Sequence, residues 1–398
     1  MQLSFEVYRH LSEVPEIWKD SVKPDSGLSP QQLQIFEQAG LTHLRFFYVI
    51  TKLQHEAILI SYYQHLSVTP DHFNCRDKPF QHHSLNVALR TVKPTLLVVG
   101  NLFRHDTPFQ QFIGSSIPES EQGAVFQQTF EYMLDFCKAS GIFLKDVHAS
   151  WAQHILKDPS YKQMEEDVSM EFKVPVHWQG LNDYEKQLKH KYLQRYRKIR
   201  QQLNGIEIRE IQAVEMQQRS ADIYALYCQV SDKQLVSMGK LNEKSFGLMK
   251  QVLQDRYKVF GWFLDNKMVA FSSAILHDGF YDMNYIGFDY AINQSHSIYF
   301  NILFHCLEQA ILSGSHTLVL GRTALEAKAI LGCEPAYQYG FYKLRHPIVN
   351  WFFKKVSAGF REQIGEKWKD RHPFKSQFYQ PQHTSTPHPQ VAQRVTES

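Results

Sequence analysis

The stretch that most constrains the fold is "YKVFGWFLDNKMVAFSSAILHDGFYDMNYIGF", residues 257–288. Three apolar runs are separated by "DNK" and "HDG". Asp, Asn and Gly tolerate the left-handed backbone that tight hairpin turns need, so the stretch predicts a three-strand antiparallel meander. The next thirty residues narrow the choice. "SIYFNILFHCLEQAILSG" reads as a helix closed by Gly314, and "HTLVLG" as another buried strand. A strand, a helix and a strand in succession build a parallel pair, because a crossover is needed to bring the chain back in the same direction.

The first half carries the same pattern in different residues. "TLLVVGNLF" (95–103) predicts a buried strand and "IFLKDVHA" the next one. Between them, "EQGAVFQQTFEYMLDFCKASG" sets Val125, Phe126, Phe130, Met133, Leu134 and Cys137 at helical spacing, with Gly141 as the stop. The second half begins with a helix from Asp183 to about Leu203. Pro175 and Gly180 punctuate the sequence before it, which places a boundary near Pro175. Residues 1–175 then form an N-terminal unit and 176–370 a C-terminal unit. Residues 375–398 are polar and proline-containing and are expected to be a disordered tail.

The chain has 398 residues, 43% of them hydrophobic, enough for two cores. A net charge of +3 leaves no chain-wide basic footprint, so any contact with a polyanion is local. No apolar run reaches about 18 residues, so no transmembrane helix is expected. The N-terminus carries Glu6, Glu13 and Glu16 and no signal-peptide core, which predicts a cytoplasmic protein. Cys75, Cys137, Cys228, Cys306 and Cys333 are widely spaced without a CxxC pair, the pattern of free thiols. The 20 histidines are scattered, and His82–His83 lacks metal-ligand spacing, so no metal is expected. HExxH, GxSxG, GxxxxGK[ST] and GxGxxG do not occur.

Four stretches stand out beyond packing. "LKHKYLQRYRKIRQQL" carries Lys189, Lys191, Arg195, Arg197, Lys198 and Arg200, with Lys186 just upstream and an apolar stripe through Leu188, Tyr192, Tyr196, Ile199 and Leu203. It is either an amphipathic helix with a solvated basic face or a phosphate contact. "NQSHS" (293–297) enters a helix from a strand end. Ser295 or Ser297 can cap that helix, and its free N–H groups suit an anion; a cap alone is the other reading. In "GRTALEAKAILGCEP", Thr323 and Glu326 match a capping box, so the helix is expected from Ala324 to a stop at Gly332. Arg322 and Lys328 have no such task. Residues 346–368 place Ile348, Trp351, Phe352, Val356, Phe360 and Ile364 at helical spacing, either docked on the chain's own core or lying on a membrane.

A helix, a meander, then strand–helix–strand–helix resembles the GNAT (N-acetyltransferase-like) fold. "KYLQRYRKIRQQL", "GWFLDNKMVAFSSAI", "YIGFDY" and "GRTALEAKAILGCEP" carry the resemblance over 181–345, and "VVGNLF" and "FLKDV" extend it to a degenerate first unit. Two such units resemble the BioF2-like and Fem-type acyltransferases. The resemblance implies an α/β fold of tandem GNAT-like units, each a mixed sheet flanked by helices, with the second unit active. It implies transfer of an acyl group from an acyl-thioester such as an acyl-CoA to an amine acceptor, a small molecule or a peptide. The alternatives are an aminoacyl-tRNA donor, as in the Fem branch, and a non-catalytic GNAT-like binding protein.

One departure bears on the donor. Acetyltransferases cradle pyrophosphate in a glycine-containing loop, whereas "DYAINQSHSIYF" has no glycine, which favours a long-armed or tRNA-like donor. On the resemblance, Ser295, His296, Ser297, Arg322 and Thr323 would bind the donor. Lys328 would be catalytic, in the region where acetyltransferases often keep a tyrosine and Fem-type enzymes a lysine. Tyr285 and Asp289, sharing a strand parity, are candidate general bases, together with Asp282. The first unit, including Arg104, is expected to be structural or acceptor-binding rather than donor-binding.

Overall fold

A computed structural model describes residues 2–24, 26–74, 86–87, 89–104, 109–114, 117–147, 149–164, 168–234, 236–345, 350 and 367–379. Its strands are β1 (Leu3–Tyr8), β2 (Leu44–Leu53), β3 (Glu56–Ser67), β4 (Thr95–Val99), β5 (Gln110–Phe112), β6 (Gly141–Val147), β7 (Lys162–Gln163), β8 (Val168–Lys173), β9 (Ile206–Glu210), β10 (Tyr257–Leu264), β11 (Lys267–His277), β12 (Phe280–Phe288), β13 (Thr317–Gly321), β14 (Glu334–Tyr337) and β15 (Tyr339–Leu344). Its helices include α1 (Pro30–Ala39), α2 (Glu119–Phe136), α3 (Leu181–Gln187), α4 (His190–Gln201), α5 (Ser220–Ser231), α6 (Glu243–Leu253), α7 (Tyr290–His296), α8 (Ile298–Leu312) and α9 (Leu325–Leu331).

The meander forms as expected. Asp265 and Asn266 at one turn, and Asp278 and Gly279 at the other, all have positive φ, the signature of two-residue hairpin loops. Each unit contains one parallel pair joined by a helix: β4 with β6 across α2, and β12 with β13 across α8. Two mixed sheets result, in the orders β1-β2-β3-β4-β6-β15-β7, with β5 beside β3, and β14-β8-β13-β12-β11-β10-β9.

The sheets do not follow the chain division at Pro175. β8 lies before that residue yet sits between β13 and β14 in the second sheet. β15 lies far beyond it yet sits between β6 and β7 in the first. Each sheet therefore takes one strand from the other half of the chain.

Three large cores fill the structure. One lies under α2 on the first sheet, around Phe126, Phe130 and Leu144. Another lies under α8 on the second sheet, around Trp262, Leu303 and Leu318. The third is shared: Phe36, Tyr48, Tyr62 and Phe103 of the first half pack with Phe246, Tyr257 and Phe271 of the second.

Three local expectations change. The helix expected from Asp183 to Leu203 is two helices, α3 and α4, broken at Leu188 and Lys189. The C-terminal segment intrudes there: Leu188 bridges Phe374, Lys189 N–H donates to Pro373 O, and Lys375 N–H donates to Gln187 O. Of the tail expected to be disordered from 375, the residues described, to 379, form a 3-10 turn at Ser376–Tyr379, with the ring centroids of Phe378 and Phe374 4.1 Å apart. Gly141 does not stop α2. Lys138, with φ 49, ends that helix, and Gly141 opens β6, where a Cβ would lie 2.6 Å from Leu344 Cδ2. Cys75, His82–His83 and the helix expected through Ile348–Ile364 lie outside the described residues.

Candidate functional site

The site is built where β12 leaves β13. The two strands pair only from Phe280 to Asp282, against Thr317 to Val319. β12 then runs on to Phe288 along β11 alone. A bulge accompanies the parting: Ser272 pairs with Ile286 but Ala274 pairs with Met283, so Asn284 and Tyr285 together oppose Ser273. The Ser273 hydroxyl bridges the bulge, accepting from Tyr285 N–H at 3.0 Å and donating to Tyr285 O at 2.9 Å. The extra residue turns Tyr285 to the shared core, while Met283 and Phe288 face α8. Parting parallel strands open a crevice at their carboxyl ends, where open α/β sheets bind ligands.

α8 begins at this crevice. The loop expected at "NQSHS" is largely helical: it belongs to α7, and Ser297 (φ 48) joins α7 to α8. Ser297 Oγ does not cap α8. It donates to Gln202 Oε1 at 2.6 Å. Asn293 supplies the cap instead, its Oδ1 accepting from Tyr299 N–H at 2.9 Å. Asn is among the best capping residues, but only the kink at Ser297 brings it into range. Ser295 and His296 lie 2.7 Å apart at the end of α7.

The basic helix α4 lies beside this start. Asn301 Nδ2 donates to Ile199 O at 3.0 Å and Arg200 Nη1 donates to Asn301 Oδ1 at 3.4 Å. The Arg195 guanidinium sits 5.1 Å from the centroid of Phe300. The first turn of α8 carries no acidic residue. The positive end of a helix dipole and two guanidinium groups therefore converge at the parting of the strands, an arrangement suited to an anion. Two neighbouring cations are engaged elsewhere, Arg197 with Glu185 at 3.1 Å and Lys186 with Asp183 at 3.0 Å.

Comparison with solved structures decides the fold. A tandem GNAT protein from the clavulanic acid biosynthesis pathway, solved without AcCoA, superposes with a TM-score of 0.51 at 6% identity, covering 87% of this chain and 99% of that one. The chain has the tandem GNAT fold. FemX gives a TM-score of 0.49 at 10% identity over 88% of this chain and 99% of that one. A GCN5-related N-acetyltransferase from Kribbella flavida gives 0.43 at 8% identity over 86% and 72%. The sequence matches no protein-family model and no curated protein.

Within the tandem GNAT fold, several expected site residues have other partners. Arg322 pairs with Asp146 of the first unit, which also holds Lys145. Burial alone would raise the Asp146 carboxyl, but the charges of Lys145 and Arg322 outweigh it and hold the group down at about 2. Thr323 forms no capping box. The N-cap is Ala324, in the left-handed region at φ 51 with no side-chain cap, and Glu326 pairs with Arg371.

Lys328 is 1% exposed, under the turn at Lys367–Asp370 that packs on α9. Its ammonium donates to Gly321 O at 3.1 Å, and burial, only partly offset by the neighbouring Cys333, pushes its pKa down to about 7. Asp289 caps α7, accepting from Ala291 N–H at 2.9 Å. Asp289 thus lies just past the end of β12, at the head of α7, and does not share the strand with Tyr285. Tyr285 Oη donates to Phe103 O of the first unit at 3.3 Å, and burial pushes its phenol well above the usual range, so it acts as a neutral donor.

No helix among the described residues is long and apolar enough to cross a membrane, and no three His, Cys, Asp or Glu side chains among them cluster as a metal site.

Proposed function

We propose that the chain is an N-acyltransferase of the second-unit GNAT type, moving an acyl group from an acyl-CoA thioester to an amine acceptor at the parting of β12 and β13. The observation that carries this reading is the start of α8, free of acid in its first turn and flanked by Arg195 and Arg200. Those groups suit the donor's phosphates. They also offset the lost glycine loop, since Asn293 already occupies one N–H that such a loop would leave free. Ser295 and His296 border the same approach. Residues 1–175 would then face the acceptor and 176–370 the donor.

The thioester supplies an activated carbonyl. The acceptor nitrogen forms a bond to that carbon, the carbon–sulfur bond breaks, and the thiolate takes up the proton the amine sheds. Asp289 and Tyr285 are committed to other hydrogen bonds, and Lys328 is enclosed, so proton transfer is assigned to none of them.

Isothermal titration of the full chain with acetyl-CoA and with bulk tRNA tests the proposal. Acetyl-CoA is expected to bind, more weakly at high salt. Binding of tRNA with a steep salt dependence and no response to acetyl-CoA would move the reading to an aminoacyl-tRNA donor, with exposed Lys189 at the head of α4 and Lys191 and Lys198 on it as its footprint. Binding of neither would leave a non-catalytic protein on the same fold.

A further inference from the structure

Asp282 occupies the last register pair before β12 parts from β13, and it is 2% exposed. A carboxylate removed from water needs donors. Among the described residues Asp282 has none: Oδ1 has no hydrogen-bond partner, and the His277 ring nitrogen Nε2 is 3.8 Å from Oδ2, beyond hydrogen-bond reach. Asn284 lies next on the same strand face. Its Nδ2 is 3.5 Å from Phe103 O, and its buried Oδ1 has no partner. Two buried acceptors are thus left unsatisfied on the side of β12 that faces the first unit.

The opposite wall offers a donor. Arg104 follows Phe103, whose carbonyl takes the Tyr285 hydroxyl, so the 103–104 segment is docked on the bulge. Arg104 is 5% exposed; one terminal nitrogen bonds Gln32, and its buried Nε has no partner. Arg104 and Asp282 feel each other's charge, yet among the described residues no ion pair joins them. Opposite buried charges that remain apart, each with an open polar atom, are costly unless something satisfies both. Water offers no charge to either. An ammonium suits Asp282 and Asn284, and a carboxylate suits the guanidinium.

We propose that the seam between the two units binds an amino acid, Asp282 and Asn284 taking its ammonium and Arg104 its carboxylate. The proposal rests on the acyltransferase reading in one respect: it makes the amino acid the amine acceptor, delivered where the strands part.

The test is isothermal titration of the full chain, without acyl donor, against each of the twenty standard amino acids, with methylamine and acetate as single-charge controls. At least one amino acid is expected to bind, at least tenfold tighter than either control. Asp282→Asn and Arg104→Lys are each expected to weaken it by about thirtyfold or more, the latter because a lysine loses the guanidinium fork. Asp282→Asn should also raise the melting temperature of the free protein, since it removes an unsatisfied buried carboxylate; this readout holds even if binding is lost. The proposal is overturned if none of the twenty binds the wild type, if methylamine binds as tightly as the best amino acid, or if Asp282→Asn lowers the melting temperature. Acetyl-CoA titrated separately keeps the two readings apart. Amino-acid binding without acetyl-CoA binding leaves the seam standing and removes the acyl-CoA donor, and the reverse result removes only the seam.

Discussion

The two crossover helices of this molecule are built alike and charged oppositely. In the first unit, β4 pairs with β6 along Leu96–Val99 and ends where the pairing ends. The chain turns there at Gly100, with φ 134, where a Cβ would sit 3.0 Å from Lys145 Cβ. The crossover helix of that unit, α2, carries Glu119 and Glu121 in its first turn. In the second unit, β12 outruns β13, and α8 begins with no acid and with Arg195 and Arg200 beside it. Acids at a helix N-terminus satisfy its dipole internally; arginines there leave the site hungry for an external anion. The same strand–helix–strand pattern thus gives a self-satisfied helix start in one half and one suited to an external anion in the other.

The joint between the halves gives the largest expected effect. Asp146 ends up against Lys145 and Arg322, tying the end of β6 to the end of β13. Asp146→Asn should destabilise the protein by about 3–5 kcal/mol in chemical unfolding. Its carboxyl is held at about 2 in the fold against 3.8 free, so this contribution is full above pH 4 and is lost as pH falls towards 2. Next, Arg195→Glu combined with Arg200→Glu should weaken acetyl-CoA binding about a hundredfold, while Glu119→Arg with Glu121→Arg leaves it unchanged. Equal effects from the two pairs would erase the contrast between the units.

A smaller effect belongs to Lys328, at the exit of the second crossover. Its folded value of about 7 lies below the free value of 10.5, so its burial costs nothing above pH 10.5 and progressively more down to pH 7. Lys328→Met should therefore stabilise the protein by on the order of 2 kcal/mol at pH 6 and hardly at all at pH 10. A loss of stability at pH 6 would show that its bond to Gly321 outweighs the burial. The smallest effect is at Arg197, which is exposed and paired with Glu185: Arg197→Glu should shift stability by under about 1 kcal/mol and donor affinity far less than the Arg195 and Arg200 pair.

The features legible in the sequence are local. The turns at Asp265–Asn266 and Asp278–Gly279, the periodicity of α2 and α8, and the parallel pairs they join all come from spacing within about thirty residues. The hidden ones are long-range. Nothing near Arg322 announces Asp146, and nothing near Leu188 announces that Phe374 will cut the helix there. The capping-box spacing at Thr323 and Glu326 is genuine as a pattern, yet Arg371 claims the glutamate and Ala324 turns left-handed instead. The basic helix is visible as a charge run, but which two of its arginines reach α8 depends on how α4 packs. The hairpin of β2 and β3, in the middle of the first sheet, is written in "LRFFYVITKLQHEAILISYYQHLS" but hard to read. Its turn, Gln54–His55, takes positive φ at both residues without the Asn or Gly that usually marks one.

The exchanged strands have a bearing on how such a chain comes into being. The first sheet lacks the strand between β6 and β7 until residue 344 has been made, and the second waits on a strand synthesised before residue 175 that has no place in its own half. A ribosome can therefore release neither half as a finished body ahead of the other. Assembly is a late event, governed by loop closures that reach across up to about half the polypeptide, and so slower than that of independent domains of equal size. Genes cut at the linker should yield two insoluble fragments that recover a native fold only when they meet, each supplying the strand the other is missing.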